Sequence, residues 1–368
     1  MTIQGKFDEI KAWACHGKDE KVVPFTYKAR PLGENDVEIE ISHCGICGSD
    51  LHTMDSGWGP SQYPVVPGHE IIGTITATGS RVTNLKIGDR VGVGAQVGAC
   101  LRSDCKQCPK GIDNLCSQRE SCEFCGSKKD VFCPERVMTY NDKWADNEKS
   151  YGGYAEAIRL NSRLVFHIPE SLPSEYAAPL MCAGVSVFAP MIRYGVQPGD
   201  AVGITGIGGL GHLALQYASK LGAEVYALSR SEDKRQEALD LGANQYVNTS
   251  DPEQIKDLKN KLKFLIVANN NANVPWDLYI NFIKIEGRMI ILGVPENSSN
   301  IYTGAIVRKS ISISGSFVGS IHEIQQTLEF SAKHNIRPLI NEFSMSQVNE
   351  GVQHVKDGKV RFRAVLKN

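Results

Sequence analysis

Cys47, His69 and Cys182 are the first residues along this chain whose side chains invite a common explanation. Taken singly, a buried cysteine is usually inert packing and a solitary histidine usually structural. Together they offer two thiolates and an imidazole, a donor set suited to zinc with one coordination position open to a reacting group. Cys44 complicates the set, because Cys44-x2-Cys47 imitates a chelating pair. A second signal is local: of the 11 cysteines, seven fall at positions 100, 105, 108, 116, 122, 125 and 133. Cys100-x4-Cys105-x2-Cys108-x7-Cys116 closes a four-thiolate tetrahedron, and closed thiolate sites are structural. Cys122-x2-Cys125-x7-Cys133 then repeats the spacing of the last three. Three readings stand: Cys105, Cys108 and Cys116 ligate with Cys100 and leave the later three free; later cysteines replace earlier ones; or a second metal binds incompletely. The first is adopted, giving one catalytic and one structural zinc. An odd cysteine total in a chain of this length argues against a disulfide framework.

A glycine run supplies the third piece of chemistry. Gly206-Ile-Gly208-Gly209-Leu210-Gly211 stands between the apolar segment AVGIT and the helical pattern HLALQYASKLG, the context in which such a turn cradles a dinucleotide pyrophosphate. At the end of the next strand, where an acidic residue would bind a ribose 2′-hydroxyl, the chain has Ser229-Arg230-Ser231, with Lys234 beyond. A guanidinium, two hydroxyls and an ammonium suit a 2′-phosphate, so NADP(H) is expected over NAD(H). Glu224 sits at the wrong end of its strand to replace the acid. Val294, Ser316 and Phe317 are further candidates for cofactor binding.

These residues need elements to hold them. The chain has 368 residues, enough for two domains that each bury a core. From about Glu34 to Val93 it reads as short strands, with DVEIEIS alternating at period two. Positions 100–133 read as a loop lobe organised by metal. YGGYAEAIRL (151–160) and RLVFHIP (163–169) return to strand character, and 174–192 has helical apolar spacing broken by proline and glycine. From Asp200 onward strands and helices alternate, with further strands at 263–270, 287–294 and 310–317, which indicates an α/β parallel, doubly wound sheet. The tail ends in the strand-like VRFRAVLKN. With 40 basic and 41 acidic residues the formal charge is −1, which excludes a broad nucleic-acid or acidic-lipid footprint. No apolar run long enough to cross a bilayer is expected, and the N-terminal segment lacks the apolar core of a signal peptide, so the expectation is a soluble cytoplasmic protein.

Gly68-His69-Glu70-x2-Gly73-x5-Gly79-x2-Val82, with CGICGSDLH, PLMCAGVSV, GIGGLGH, SRSEDKR and SFVGSIHE, resembles the zinc-dependent medium-chain alcohol dehydrogenases. The likeness is to the cinnamyl-alcohol-dehydrogenase branch, especially its fungal NADP(H) members, and covers about Val37 to Asn368. It implies a GroES-like β-rich catalytic domain over 1–181, a Rossmann domain over 182–319 and a C-terminal segment, 320–368, that returns to the first. It implies Cys47, His69 and Cys182 as catalytic zinc ligands and Glu70 as an exchanging carboxylate. Asp50 would orient His69, and Ser49 and His52 would relay the proton. It leaves Cys44 to packing. Gly48 departs from the pattern, since many plant members carry His there. The resemblance further implies reversible oxidation of primary alcohols or reduction of aromatic and medium-chain aliphatic aldehydes, in a homodimer. Trp58 and Phe317 are candidate walls of an apolar substrate pocket. The alternatives are a polyol or other secondary-alcohol dehydrogenase on the same fold, and a nucleotide-binding sensor that has lost turnover.

Overall fold

The computed structural model describes residues 5–101, 122–269, 274–294 and 300–368. The chain forms two compact units. One runs through Cys182 and takes in Val318–Asn335 and Leu339–Asn368; the other is Ala183–Phe317 with Ile336–Pro338.

The first unit is built on a seven-stranded sheet around the long strand Asp36–Ile46. That strand pairs antiparallel with Ile71–Thr78, with Ala157–Asn161 and with the C-terminal strand Arg363–Lys367. Val37, Ile39 and Ile41 point into the core as their alternation predicts, and burying each such side chain contributes about 1.5–3 kcal/mol. Glu38 breaks the pattern, for it too is fully buried. It is tolerated because Arg159 Nη2 lies 2.6 Å from its carboxylate, and the Lys6 amide and Thr76 hydroxyl each donate to it at 2.7 Å. Strand character over 151–169 is shorter than its composition predicts, covering only Ala157–Asn161 and Phe166–His167. Residues 151–156 are instead irregular and bond to the segment before His69, with the Gly152, Gly153 and Tyr154 amides donating to the Val66, Gly68 and Pro67 carbonyls.

The described part of the cysteine lobe consists of the short helix Glu123–Gly126 and the single turn Asp130–Phe132. It is fastened to the 14-residue helix Ile321–His334: the Asp130 carboxylate accepts from the Ile321 amide at 3.2 and 3.3 Å. Ser320 and Glu323 close the same helix end as a capping box.

The second unit is a six-stranded sheet with every adjacent pair parallel. Its spatial order is Gln245–Asn248, Glu224–Ser229, Ala201–Thr205, Leu262–Val267, Ile283–Ile291 and Ser312–Gly315. Taken in chain order this is 3-2-1-4-5-6, the doubly wound arrangement of a dinucleotide-binding sheet. The strands keep the predicted positions with shifted ends; one begins at Ile283, four residues before the run read from the sequence.

The helical run Ser174–Arg193 differs from expectation. At 20 residues it is long and apolar enough by length and composition to cross a bilayer, but 78% of its apolar window is buried inside the protein. It serves as a core element.

Candidate functional site

Three local structures bring the metal donors together. Cys47 stands at the N-cap of the helix Gly48–Met54, where the Asp50 carboxylate accepts from the Cys47 amide at 2.8 Å. His69 and Glu70 directly precede the strand Ile71–Thr78. They follow Gly68, whose φ of +98° favours glycine and where a Cβ would come within 2.6 Å of the Tyr154 ring. Cys182 lies in a π-helical turn, Leu180–Gly184, after Pro179; such turns occur often at functional positions. One ligand atom each from Cys47, His69, Glu70 and Cys182 lies within 4.8 Å of the others, and all four residues are buried. Cys44 is buried outside this group. Two soft thiolates and an imidazole suit zinc, and a carboxylate beside them provides a fourth, exchangeable donor.

The neighbours of this group set its protonation. Asp50 Oδ1 lies 3.1 Å from His69 Nδ1, which leaves Nε2 for a metal. Burial opposes charge on His69, but the Asp50 carboxylate and Cys47 outweigh it and raise the imidazole well above its usual range. The hydrogen bond from Cys182 holds Cys47 well below the ordinary thiol range, and the same bond, with burial, pushes Cys182 up. One thiolate is thus ready, while the other must lose its proton to solvent when a metal binds. Glu70 is raised to about 7 by burial, against the pull of Arg363, whose Nη2 contacts both carboxylate oxygens at 2.6 and 2.7 Å. Sequence reasoning missed Arg363, Tyr140 and Tyr154. Tyr140 Oη is 3.0 Å from His69 Nδ1, and Tyr154 Oη donates to Asp50 at 3.2 Å. No motif or spacing links these positions, because the contacts form only across the folded sheet.

The Ser49 hydroxyl lies 3.6 Å from Cys47 Sγ, beside the donor group. His52 follows on the same short helix, its ring stacked on Trp58 with centroids 4.5 Å apart. Trp58 is 47% exposed. Phe317 belongs to the second unit and is also exposed.

The second cysteine group corrects the expectation that Cys122, Cys125 and Cys133 stand free. Their sulfurs lie with that of Cys100, all within 4.8 Å of one another. Cys105, Cys108 and Cys116 lie outside the described residues. The sulfurs of Cys100 and Cys125 are 3.3 Å apart and those of Cys122 and Cys133 3.9 Å. A disulfide needs about 2.05 Å, whereas four thiolates on zinc, at about 2.3 Å each, stand about 3.8 Å apart. The geometry suits a shared ion better than a covalent bridge.

In the second unit, Gly206, Gly208, Gly209, Ser229, Arg230 and Lys234 line a cavity of about 340 Å³. Gly206 has φ +76°, and a Cβ there would sit 2.7 Å from the Asn269 amide. At Gly208 a Cβ would meet nothing nearer than the Gly206 carbonyl oxygen at 3.9 Å, which leaves the room a pyrophosphate needs beside the helix Gly211–Lys220. Lys234 Nζ donates to the Ile207 carbonyl at 2.6 Å, tying the glycine turn to the residues that end the second strand. Thr249, Asn269 and Tyr279 also line the cavity and were not foreseen. Six expected residues, Leu210, Gly211, Ser231, Val294, Ser316 and Phe317, lie outside its described lining. The Ser231 hydroxyl donates to Asp233 at 3.1 Å, Ser316 Oγ accepts from Arg193 at 3.4 Å, Val294 is exposed, and Leu210 opens the following helix.

Comparison with known proteins agrees with this geometry. Residues 33–170 match the family "Alcohol dehydrogenase GroES-like domain" and residues 209–333 match "Zinc-binding dehydrogenase". Cinnamyl alcohol dehydrogenase 2 of Arabidopsis thaliana is 37% identical over 367 residues, 98% of this chain and 92% of its own length. 8-Hydroxygeraniol dehydrogenase of Catharanthus roseus is 36% identical over 356 residues, 96% of this chain and 93% of its own. The crystal structure of the Helicobacter pylori cinnamyl alcohol dehydrogenase complexed with NADP(H) superimposes with a TM-score of 0.87 at 32% identity, covering 98% of each chain. With two thiols, an imidazole and a carboxylate gathered in one unit and a glycine-turn dinucleotide sheet in the other, the chain belongs to the zinc-dependent medium-chain alcohol dehydrogenases, in their cinnamyl-alcohol-dehydrogenase branch.

Proposed function

We propose that this chain interconverts primary alcohols and aldehydes with NADP(H), using a zinc ion held by Cys47, His69 and Cys182. The observation that carries this reading is the mixed donor group with the Ser49 hydroxyl 3.6 Å from one of its sulfurs. A zinc ion held there would supply the Lewis acidity that lets an alcohol hydroxyl ionise near neutrality, and bound NADP(H) would supply the hydride chemistry. The residues do the rest. Ser49 accepts the hydroxyl proton, and His52, next along the helix and stacked on Trp58, passes it outward. Asp50 fixes the His69 ring. Arg363 holds the Glu70 carboxylate, which keeps that carboxylate from taking the open position permanently.

The exposed Arg230 guanidinium with Ser229 and Lys234 at the nucleotide cavity supports a 2′-phosphate, in keeping with the NADP(H) bound by the Helicobacter pylori relative. We assign a structural zinc to Cys100, Cys122, Cys125 and Cys133. Trp58, exposed and stacked on His52, supplies apolar surface for the substrate, which favours aromatic or medium-chain aliphatic aldehydes over polyols. The same reading takes the enzyme as a cytoplasmic homodimer with small-molecule partners only.

The test is a substrate panel of benzaldehyde-type, medium-chain and sorbitol-type compounds with NADPH and NADH, on protein whose zinc has been quantified. Turnover of the first two with NADPH, at two zinc ions per chain, is expected. Sorbitol-type turnover with NADH would establish the polyol alternative, and no turnover with a full zinc complement would establish the sensor.

A further inference from the structure

His69 presents Nδ1 to two oxygens at once, Asp50 Oδ1 at 3.1 Å and Tyr140 Oη at 3.0 Å. The carboxylate is already heavily engaged. It accepts from the Cys47 amide at 2.8 Å, the Gly68 amide at 3.1 Å and the Tyr154 hydroxyl at 3.2 Å. We propose that Tyr140 is a positioning residue for the catalytic metal, its hydroxyl forming a second hold on His69 beside Asp50.

The chemistry of the two oxygens differs. A carboxylate only accepts, whereas a phenol accepts and donates. Tyr140 therefore takes a share of the Nδ1 proton and keeps its own free to turn toward a neighbouring acceptor. With both oxygens facing it, Nδ1 stays protonated and Nε2 is left for a metal. A single hydrogen bond leaves a ring free to pivot, and a second from another direction fixes its plane. The rings of Tyr140 and His69 are in contact as well, with centroids 5.4 Å apart at 50°. Tyr140 is itself held firmly. The Thr139 amide donates to the Ala95 carbonyl at 3.0 Å, the Thr139 hydroxyl to the Gly94 carbonyl at 2.6 Å, and the Gln62 amide to Asn141 Oδ1 at 2.7 Å. Among the described residues, His69 Nδ1 is the hydrogen-bond partner the structure gives this buried hydroxyl.

The inference rests on the zinc reading above, and one experiment separates their failures. Zinc release to a chromogenic chelator is followed for the wild type and Tyr140→Phe, with thermal unfolding measured in parallel. The four-cysteine site, whose metal leaves as a separate phase, serves as an internal control. Tyr140→Phe is expected to release the catalytic zinc roughly 10–100-fold faster, with the four-cysteine phase unchanged and kcat lowered more than KM is raised. Release at the wild-type rate overturns the role of Tyr140. A wild type that holds zinc at the four cysteines alone overturns the zinc reading instead. Should Tyr140→Phe fail to fold, Tyr140→His, which retains a polar ring edge, decides by the same measurement: release within a few-fold of wild type supports the hydrogen-bonding role, and release as fast as from a chelator-stripped and reloaded Asp50→Asn protein overturns it.

Discussion

The two thiol groups of the first unit solve different problems with the same atom. Cys47 and Cys182 meet His69 and Glu70 from a helix cap, a strand entry and a π-helical turn, so only the finished fold assembles them. Cys100, Cys122, Cys125 and Cys133 come from one stretch and offer sulfur alone. Both groups follow one protonation scheme: a thiol donates to its neighbour, which becomes the favoured thiolate, Cys47 in the first and Cys133 in the second. They part in their surroundings. The mixed group has a buried carboxylate that a guanidinium restrains, and an imidazole steadied by Asp50 and Tyr140. Among the described residues the all-sulfur group has no exchangeable donor, and its lobe is fastened through Asp130 to a helix end. A site that must admit a ligand keeps one weak donor in reserve, and a site that must hold a lobe together uses four strong ones.

The sharpest way to break this contrast is to remove one sulfur from each group. Cys47→Ser or Cys182→Ser is expected to lower kcat/KM by roughly 10³-fold or more, since Lewis-acid stabilisation supplies several kcal/mol and each 1.4 kcal/mol is tenfold. NADPH affinity, measured by fluorescence titration, should change little. Cys125→Ser or Cys133→Ser should do the reverse. One zinc per chain is lost by elemental analysis and the melting temperature falls by roughly 10 °C, while turnover per folded molecule stays within a few-fold. If either pair of variants gave the other's result, the division into catalytic and structural groups would be wrong.

How far the sequence discloses each group follows from the same difference. The dispersed donors were legible as a set of two thiols and an imidazole, and because each sits in a motif that resembles the family's: CGICGSDLH, Gly68-His69-Glu70 and PLMCAGVSV. The doubly wound sheet was legible because its strands are near-continuous apolar runs with a glycine turn between the first strand and helix. The choice among the clustered cysteines was not, because C-x2-C-x7-C occurs twice and spacing alone gives both copies the same chelating reach. Tyr140, Tyr154 and Arg363 were invisible for another reason. They lie 71, 104 and 293 residues from the partners they touch, and each is an ordinary residue for its own strand or turn.

The nucleotide cavity extends the contrast to a site whose ligand is held by charge at the surface. Arg230→Asp replaces a guanidinium with a group that repels a 2′-phosphate. A charge-assisted hydrogen bond contributes about 1.5–3 kcal/mol, and exposure places this one at the lower end. The NADPH-to-NADH ratio of kcat/KM should fall by about 10–100-fold. An unchanged ratio would remove Arg230 from the phosphate site and leave Lys234, now bonded to the Ile207 carbonyl, as the cation to examine.

The smallest effect concerns the fastening of the all-sulfur lobe. Asp130 is buried, and that burial raises its carboxyl to about 6 despite the hydrogen bond from the Ile321 amide. The unfolded chain binds this proton only near pH 4. Between those values the folded state holds more protons than the unfolded one, so this group makes stability fall as pH rises through that window. Asp130→Asn removes the titration but keeps an oxygen for the Ile321 amide. The melting temperature of the variant relative to wild type should therefore climb between pH 4 and pH 7 by a few degrees, the counterpart of at most about 3 kcal/mol. Taking the difference between two proteins cancels the acid lability that their shared thiolate sites contribute. A flat difference would mean that Asp130 is ionised throughout, and that the lobe is held on the helix end by a full charge whose desolvation is already offset.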